Sequence, residues 1–296
     1  MDSFSLSIMI PVGPPELTKV INDPLILFIL SFIFGTFLGS FLNVCIYRVP
    51  NGISIIHPRS HCISCKTPLR FYNNIPVISF LLLRGRCKNC RAKISPRYLI
   101  VEILSGIICV LSVWKFGITL QTFFYVIFLF CLVVVTFIDI EHMIIPNAIT
   151  IPGIFIGIVY GVMRTDWGNL TIFLTDSNSH LYKVASIIGS QPVFDSIFGA
   201  ILGGGLLYLI ALLYLIIRKK EGMGMGDVKL LAMIGAFLGW KSIIYVTLIS
   251  SVLGTIVGLA IIFYKRGDIK YALPFGPFLS LAAALYLFVS EAYPRI

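Results

Sequence analysis

The sequence predicts an all-α polytopic membrane protein of about eight transmembrane helices, with a small cytoplasmic zinc-ribbon-like domain inserted after the first helix. Three observations carry that prediction. Hydrophobic residues make up 58% of the 296 and charged residues only 12%, with a mean hydropathy of +0.96, which leaves too little polar surface to wet a soluble domain. Apolar runs of about 20 residues, enough to cross roughly 30 Å of hydrocarbon as helix, recur from Pro24 onward. The one sizeable polar region, residues 49–97, holds four of the seven cysteines.

Helices are required rather than merely favoured, because lipid satisfies no stray backbone N–H or C=O. In chain order, spans are expected at residues 24–47, 98–115, 119–140, 144–163, 193–217, 228–241, 243–264 and 271–292. The sixth is short and is divided from the seventh only by Gly239, Trp240, Lys241 and Ser242, so seven spans are the alternative. The segment ahead of Pro24 has one basic residue, Lys19, and does not read as a cleavable signal peptide. The expected domains are 1–48, an N-terminal segment with the first helix; 49–97, the four-cysteine domain; and 98–296, the membrane domain. Small-residue pairs at Gly35 and Gly39, Gly199 and Gly203, and Gly254 and Gly258 suit close helix packing in lipid.

A net charge of +10 raises the question of nucleic acid, and the placement of the charge answers it. The segments Arg48 to Arg97, Arg218 to Lys229 and Lys265 to Lys270 hold 17 of the 23 Lys and Arg, all on one side of the membrane if the N-terminus is outside. The positive-inside rule then makes that side the cytoplasm and puts the stretch from Arg164 to Gln191 outside. The expected partner of this basic chain is membrane lipid, not nucleic acid.

Cys62 and Cys65 form one C-x-x-C pair and Cys87 and Cys90 another, at a spacing that suits tetrahedral zinc. Disulfides or free thiols are the alternative, disfavoured in a reducing cytoplasm. Four thiolates fill the metal's shell and leave no place for a reactive water, so the expected zinc is structural. His57 and His61 lie beside the cluster without being needed as ligands. Cys45, Cys109 and Cys131 stand alone in apolar runs, where cysteine behaves as a small hydrophobe.

Acidic residues in or at the edge of a span are costly and therefore functional candidates, and here they are Glu102, Asp139, Glu141 and Asp227. Asp139 ends the third span and Asp227 opens the sixth after Gly222-Met223-Gly224-Met225-Gly226, so both fall at the cytoplasmic face. Two adjacent carboxylates sharing one proton can hydrolyse a peptide, one activating water and the other protonating the carbonyl. Gly224 and Gly226 would let the chain bend and a substrate backbone approach. Lys229, Glu141 and His142 are placed as supporting residues. An aspartate at a helix start can also be only a cap. The glycine run follows no strand and so is no nucleotide fingerprint. Two other readings are weighed: an ion-coupled transporter, whose site belongs nearer mid-membrane, and a zinc-ribbon scaffold, which leaves the aspartates idle.

These residues resemble the type IV prepilin leader peptidases over nearly the whole chain. The likeness runs through Gly39-Ser40-Phe41-Leu42-Asn43-Val44 with Arg48 and Pro50, Arg59 to Cys65, Asn74-Ile75-Pro76, and Arg84-Gly85-Arg86-Cys87 to Cys90. It continues through Arg97-Tyr98 with Glu102, the Asp139 segment, Gly222 to Lys229, and Pro274-Phe275-Gly276-Pro277. The resemblance implies that Asp139 and Asp227 are the catalytic pair of an integral-membrane aspartic peptidase. Its substrates are prepilins and the pseudopilins of secretion systems, cut after a glycine at the end of a short basic leader on the cytoplasmic side of the inner membrane. It also implies N-methylation of the new N-terminal residue by S-adenosylmethionine, with the donor near Gly39 to Asn43 and the zinc-like domain. One departure is Asn147, where many relatives have aspartate.

Overall fold

A computed structural model describes residues 23–57, 59–68, 75–165, 192–219, 224–264 and 273–290. Within them the chain forms nine helices and no strand: α1 Pro24–Arg48, α2 Ile78–Leu82, α3 Arg97–Phe116, α4 Leu120–His142, α5 Asn147–Arg164, α6 Pro192–Arg218, α7 Met225–Leu238, α8 Trp240–Tyr264 and α9 Gly276–Val289. Apart from the short α2, they stand where the eight spans are predicted, with ends displaced by a few residues. Expectations for the stretch 166–191, for Gly222 and Met223, and for the basic run 265–270 lie outside the described residues.

Six helices, α1, α3, α4, α5, α6 and α8, are long and apolar enough to cross a membrane, and the chain is a multi-pass membrane protein. Helices α7 and α9 have 14 residues each, about 21 Å at 1.5 Å per residue, which falls short of the hydrocarbon thickness. The reason is clearest in α7. Every residue from Leu230 to Leu238 is buried, and α5, α6, α8 and α9 all pack against it. A helix apolar all round and enclosed by others is a core helix, and α7 meets protein rather than lipid. It ends at Gly239, whose φ of +78° is a conformation that only glycine adopts without strain. The Asp195 carboxylate from the start of α6 lies against Gly239 and accepts a hydrogen bond from the Trp240 N–H at 3.4 Å. The partition between α7 and α8 is therefore a built break.

The described residues fall into two compact units, divided between Val134 and Val135 within α4. In the first, Asp23 accepts from the Leu25 N–H at 2.9 Å and caps α1, with Pro24 opening the helix. Helices α1 and α3 pack almost backbone to backbone. A Cβ on Gly35 would come within 2.6 Å of the Ser105 carbonyl, and one on Gly39 within 2.8 Å of the Glu102 Cα. In the second unit, Gly199 of α6 lies against Gly235 of α7, and Gly203 against Leu231. Two of the three predicted glycine pairs thus serve close approach. The third does not: Gly254 has only ordinary contacts and nothing lies within 4 Å of a Cβ on Gly258.

Candidate active site

In the second unit three helix ends meet around Ile145. Asp139 lies one turn before the end of α4 and is 5% exposed. Met143, at φ +53°, turns the chain out of α4, and Pro146 leads into α5. That turn sets Ile145 between two glycines. A Cβ on Gly226 of α7 would lie 2.7 Å from the Ile145 Cβ, and one on Gly276 of α9 would lie 3.2 Å from the Ile145 Cδ1. Gly276 also donates its backbone N–H to Asp139 Oδ2 at 2.9 Å, from the first residue of α9. Asp227, half-buried in the first turn of α7, directly follows Gly226, so both aspartates border the Ile145 turn. No donor reaches the Asp227 side chain from the described residues, whereas Asp139 has the Gly276 amide.

The residues named from sequence are distributed around this pair. Gly226 packs on Ile145, and Gly224 is exposed, with the Asp227 carboxylate in ordinary contact range at 3.7 Å from where its Cβ would be. Lys229 Nζ donates to Asn147 Oδ1 at 2.8 Å, tying the start of α7 to the start of α5. Glu141 and His142 are exposed at the end of α4. Sequence reasoning missed the Gly276 amide, although Pro274-Phe275-Gly276-Pro277 was among the motifs quoted. It also missed Ile145 as the hub and Asn147 as the partner of Lys229.

The first unit holds the cysteines in two matching knuckles. Lys66 N–H donates to the Cys62 carbonyl at 2.8 Å and Arg91 N–H to the Cys87 carbonyl at 3.0 Å, with Lys66 and Arg91 both at positive φ. Cys62 N–H donates to the Thr67 carbonyl and Cys87 N–H to the Ala92 carbonyl, and a bridge closes each turn, His61 with Pro68 and Arg86 with Lys93. The four Sγ atoms lie within 4.8 Å of one another, with Cys62 and Cys90 at 3.8 Å. Four sulfurs on tetrahedral zinc stand roughly 3.8 Å apart for a Zn–S bond of about 2.3 Å, so the donor set and its size fit that ion. The hydroxyl and backbone of Thr67 draw the Cys65 thiol down to about 6, towards the thiolate a metal needs.

Together these features define a polytopic membrane protein that joins a four-cysteine module to a helical unit in which Asp139 and Asp227 border one turn. Two family models match it: the bacterial peptidase A24 N-terminal domain over residues 33–116 and the type IV leader peptidase family over residues 126–259. Among curated proteins, the prepilin leader peptidase/N-methyltransferase of Aeromonas salmonicida is 30% identical over 92% of this chain and 94% of its own. That of Neisseria gonorrhoeae is 30% identical over 90% and 92%, and that of Pseudomonas aeruginosa 28% over 95% and 97%. No solved structure matches the chain. The chain belongs to the type IV leader peptidase family and is an enzyme of that family.

Proposed function

We propose that this enzyme cleaves the short basic leader of type IV prepilins and pseudopilins after a glycine, at the cytoplasmic face of the inner membrane, with Asp139 and Asp227 as the catalytic pair. We further propose that it methylates the new N-terminal residue, the second activity in the names of its relatives. The observation that carries the reading is the convergence of Asp139 and Asp227 from separate helices upon the Ile145 and Gly276 turn.

The mechanism needs the two carboxyl groups to share a proton, because carboxylates brought together do not both ionise. The Gly276 amide fixes the orientation of Asp139, which suits it to hold and deprotonate the attacking water. Asp227 has no such anchor among the described residues and is free to turn its proton towards the peptide carbonyl. The tie between Lys229 and Asn147 holds the first turn of α7 in place, so Asp227 is presented at a constant depth. A substrate whose apolar helix lies in the membrane just after its leader brings the scissile bond to that depth.

Structural zinc on Cys62, Cys65, Cys87 and Cys90 would hold the knuckles together, because a module this small has little core of its own. S-adenosylmethionine is the methyl donor of the second reaction and supplies the methyl group when bound.

The experiment is cleavage of a purified prepilin by enzyme in detergent, followed by mass spectrometry of the new N-terminus. Asp139→Asn and Asp227→Asn should each slow cleavage by about 10²–10⁴-fold, the usual worth of an acid or base catalyst. Undiminished cleavage by either variant would refute the aspartate mechanism.

A further inference from the structure

We propose that the polar seam between α1 and α3, formed by Ser40, Asn43 and Glu102, is a binding site for an amino group and serves the methyl-transfer half of the proposed function, on which this inference rests. The first observation is Asn43. It is 1% exposed, and its Nδ2 donates to the Tyr98 carbonyl at 3.0 Å, yet its Oδ1 is buried with no hydrogen-bond partner. A buried acceptor left without a donor costs free energy, and such exceptions call for a specific reason.

Glu102 supplies the second observation. It is 7% exposed, and its Oε2 accepts the Val77 N–H at 2.7 Å. Ser40 hydrogen-bonds to the same carboxylate. No cation pairs with Glu102 among the described residues, so this carboxyl at a membrane edge is held by two neutral donors. Val77 reaches it at φ +61°, an outlier for a β-branched residue and the kind of strain that collects at ligand sites.

These groups lie on adjacent rungs of one seam. Ser40 and Asn43 are a turn apart on α1, and Tyr98 and Glu102 are a turn apart on α3, with Gly39 pressed against the Glu102 Cα. Asn43 Oδ1 is an open acceptor, and the Glu102 carboxyl on the neighbouring rung accepts from neutral donors alone. They suit a cationic donor of several N–H bonds, an ammonium group, and repel an anion or a carbonyl. Where the bound amine is the peptide's, a proton passes from its nitrogen to the Glu102 carboxylate, and the freed lone pair takes the methyl group as the donor's carbon–sulfur bond breaks with its electron pair left on sulfur, giving S-adenosylhomocysteine. Two amino groups meet in the reaction: the peptide end freed by cleavage and the amino group of the methyl donor.

The test uses full-length enzyme carrying Glu102→Gln, which keeps an acceptor for the Val77 amide, or Asn43→Leu, with the melting temperature as the check of folding. A peptide beginning at the residue after the cut is the methylation substrate, and binding of S-adenosylhomocysteine is measured separately by equilibrium dialysis. A KM for the peptide raised at least tenfold, with S-adenosylhomocysteine bound as before, assigns the seam to the peptide amine. An affinity for S-adenosylhomocysteine lowered at least tenfold assigns it to the donor's amino group. Wild-type values of both quantities in folded variants overturn the site. Should either substitution prevent folding, Ser40→Ala removes one hydroxyl from the same seam, and unchanged KM and affinity there overturn it equally. A wild-type enzyme that cleaves but never methylates would refute the methyl-transfer reading itself.

Discussion

Gly276 is where one methyl group most directly probes the aspartate pair. Its amide holds Asp139 Oδ2 at 2.9 Å, while an added Cβ would stand 2.7 Å from that oxygen and 3.2 Å from Ile145. Gly276→Ala therefore keeps the donor but pushes the carboxylate aside. Displacements near 1 Å can cost about 10²-fold in rate, so kcat for leader cleavage should fall about 10–100-fold while KM changes little. Steady-state kinetics on a prepilin checks this, and an unchanged kcat would remove the amide from the mechanism. The contrast with Asp139 and Asp227 explains what a sequence discloses at this scale. A carboxylate in an apolar run stands out because lipid makes it costly. A backbone N–H carries no mark in the sequence, so the group that orients Asp139 was invisible until α9 was placed.

At the scale of elements, α6 and α7 meet through glycines that have no room to grow. A Cβ on Gly199 would collide with the backbone of Gly235, and the reverse is also true. Gly199→Ala should destabilise the second unit by about 1–3 kcal/mol, as overpacking does, and lower the melting temperature in detergent. Gly258→Ala, with nothing within 4 Å, should stay within about 0.5 kcal/mol of wild type. Equal melting temperatures for both variants would contradict this packing. The two glycine pairs look alike in sequence because spacing records a possible contact, not whether a neighbour is present. The same limit applies to α7. Hydropathy located it, but a lipid-facing helix and a protein-enclosed one are both apolar all round, so its burial emerged only from what surrounds it.

For the whole molecule, the cysteine spacing and the distribution of charge make linked claims. Four thiols within 4.8 Å of one another should retain about one zinc per chain when the enzyme is purified without chelator, because four thiolates suit the ion's tetrahedral shell. Cys62→Ser and Cys90→Ser should each lose it, and metal analysis decides between zinc and free thiols. That module lies in the stretch from Arg48 to Arg97, which with two other segments holds 17 of the 23 Lys and Arg. If those segments face the cytoplasm, counting helices brings the Asp139 end of α4 and the Asp227 end of α7 to the same face, where a basic leader would remain while the substrate's apolar helix lies in the membrane. Gly52, exposed in that stretch, and Ile118, 73% exposed in the turn between α3 and α4, fall on opposite sides in this topology. A membrane-impermeant maleimide should therefore label Ile118→Cys in spheroplasts with an intact inner membrane, and Gly52→Cys only after that membrane is opened, each measured against the parent chain. The reverse pattern would carry the aspartate pair to the outer face and leave the leader peptidase reading without access to a cytoplasmic leader.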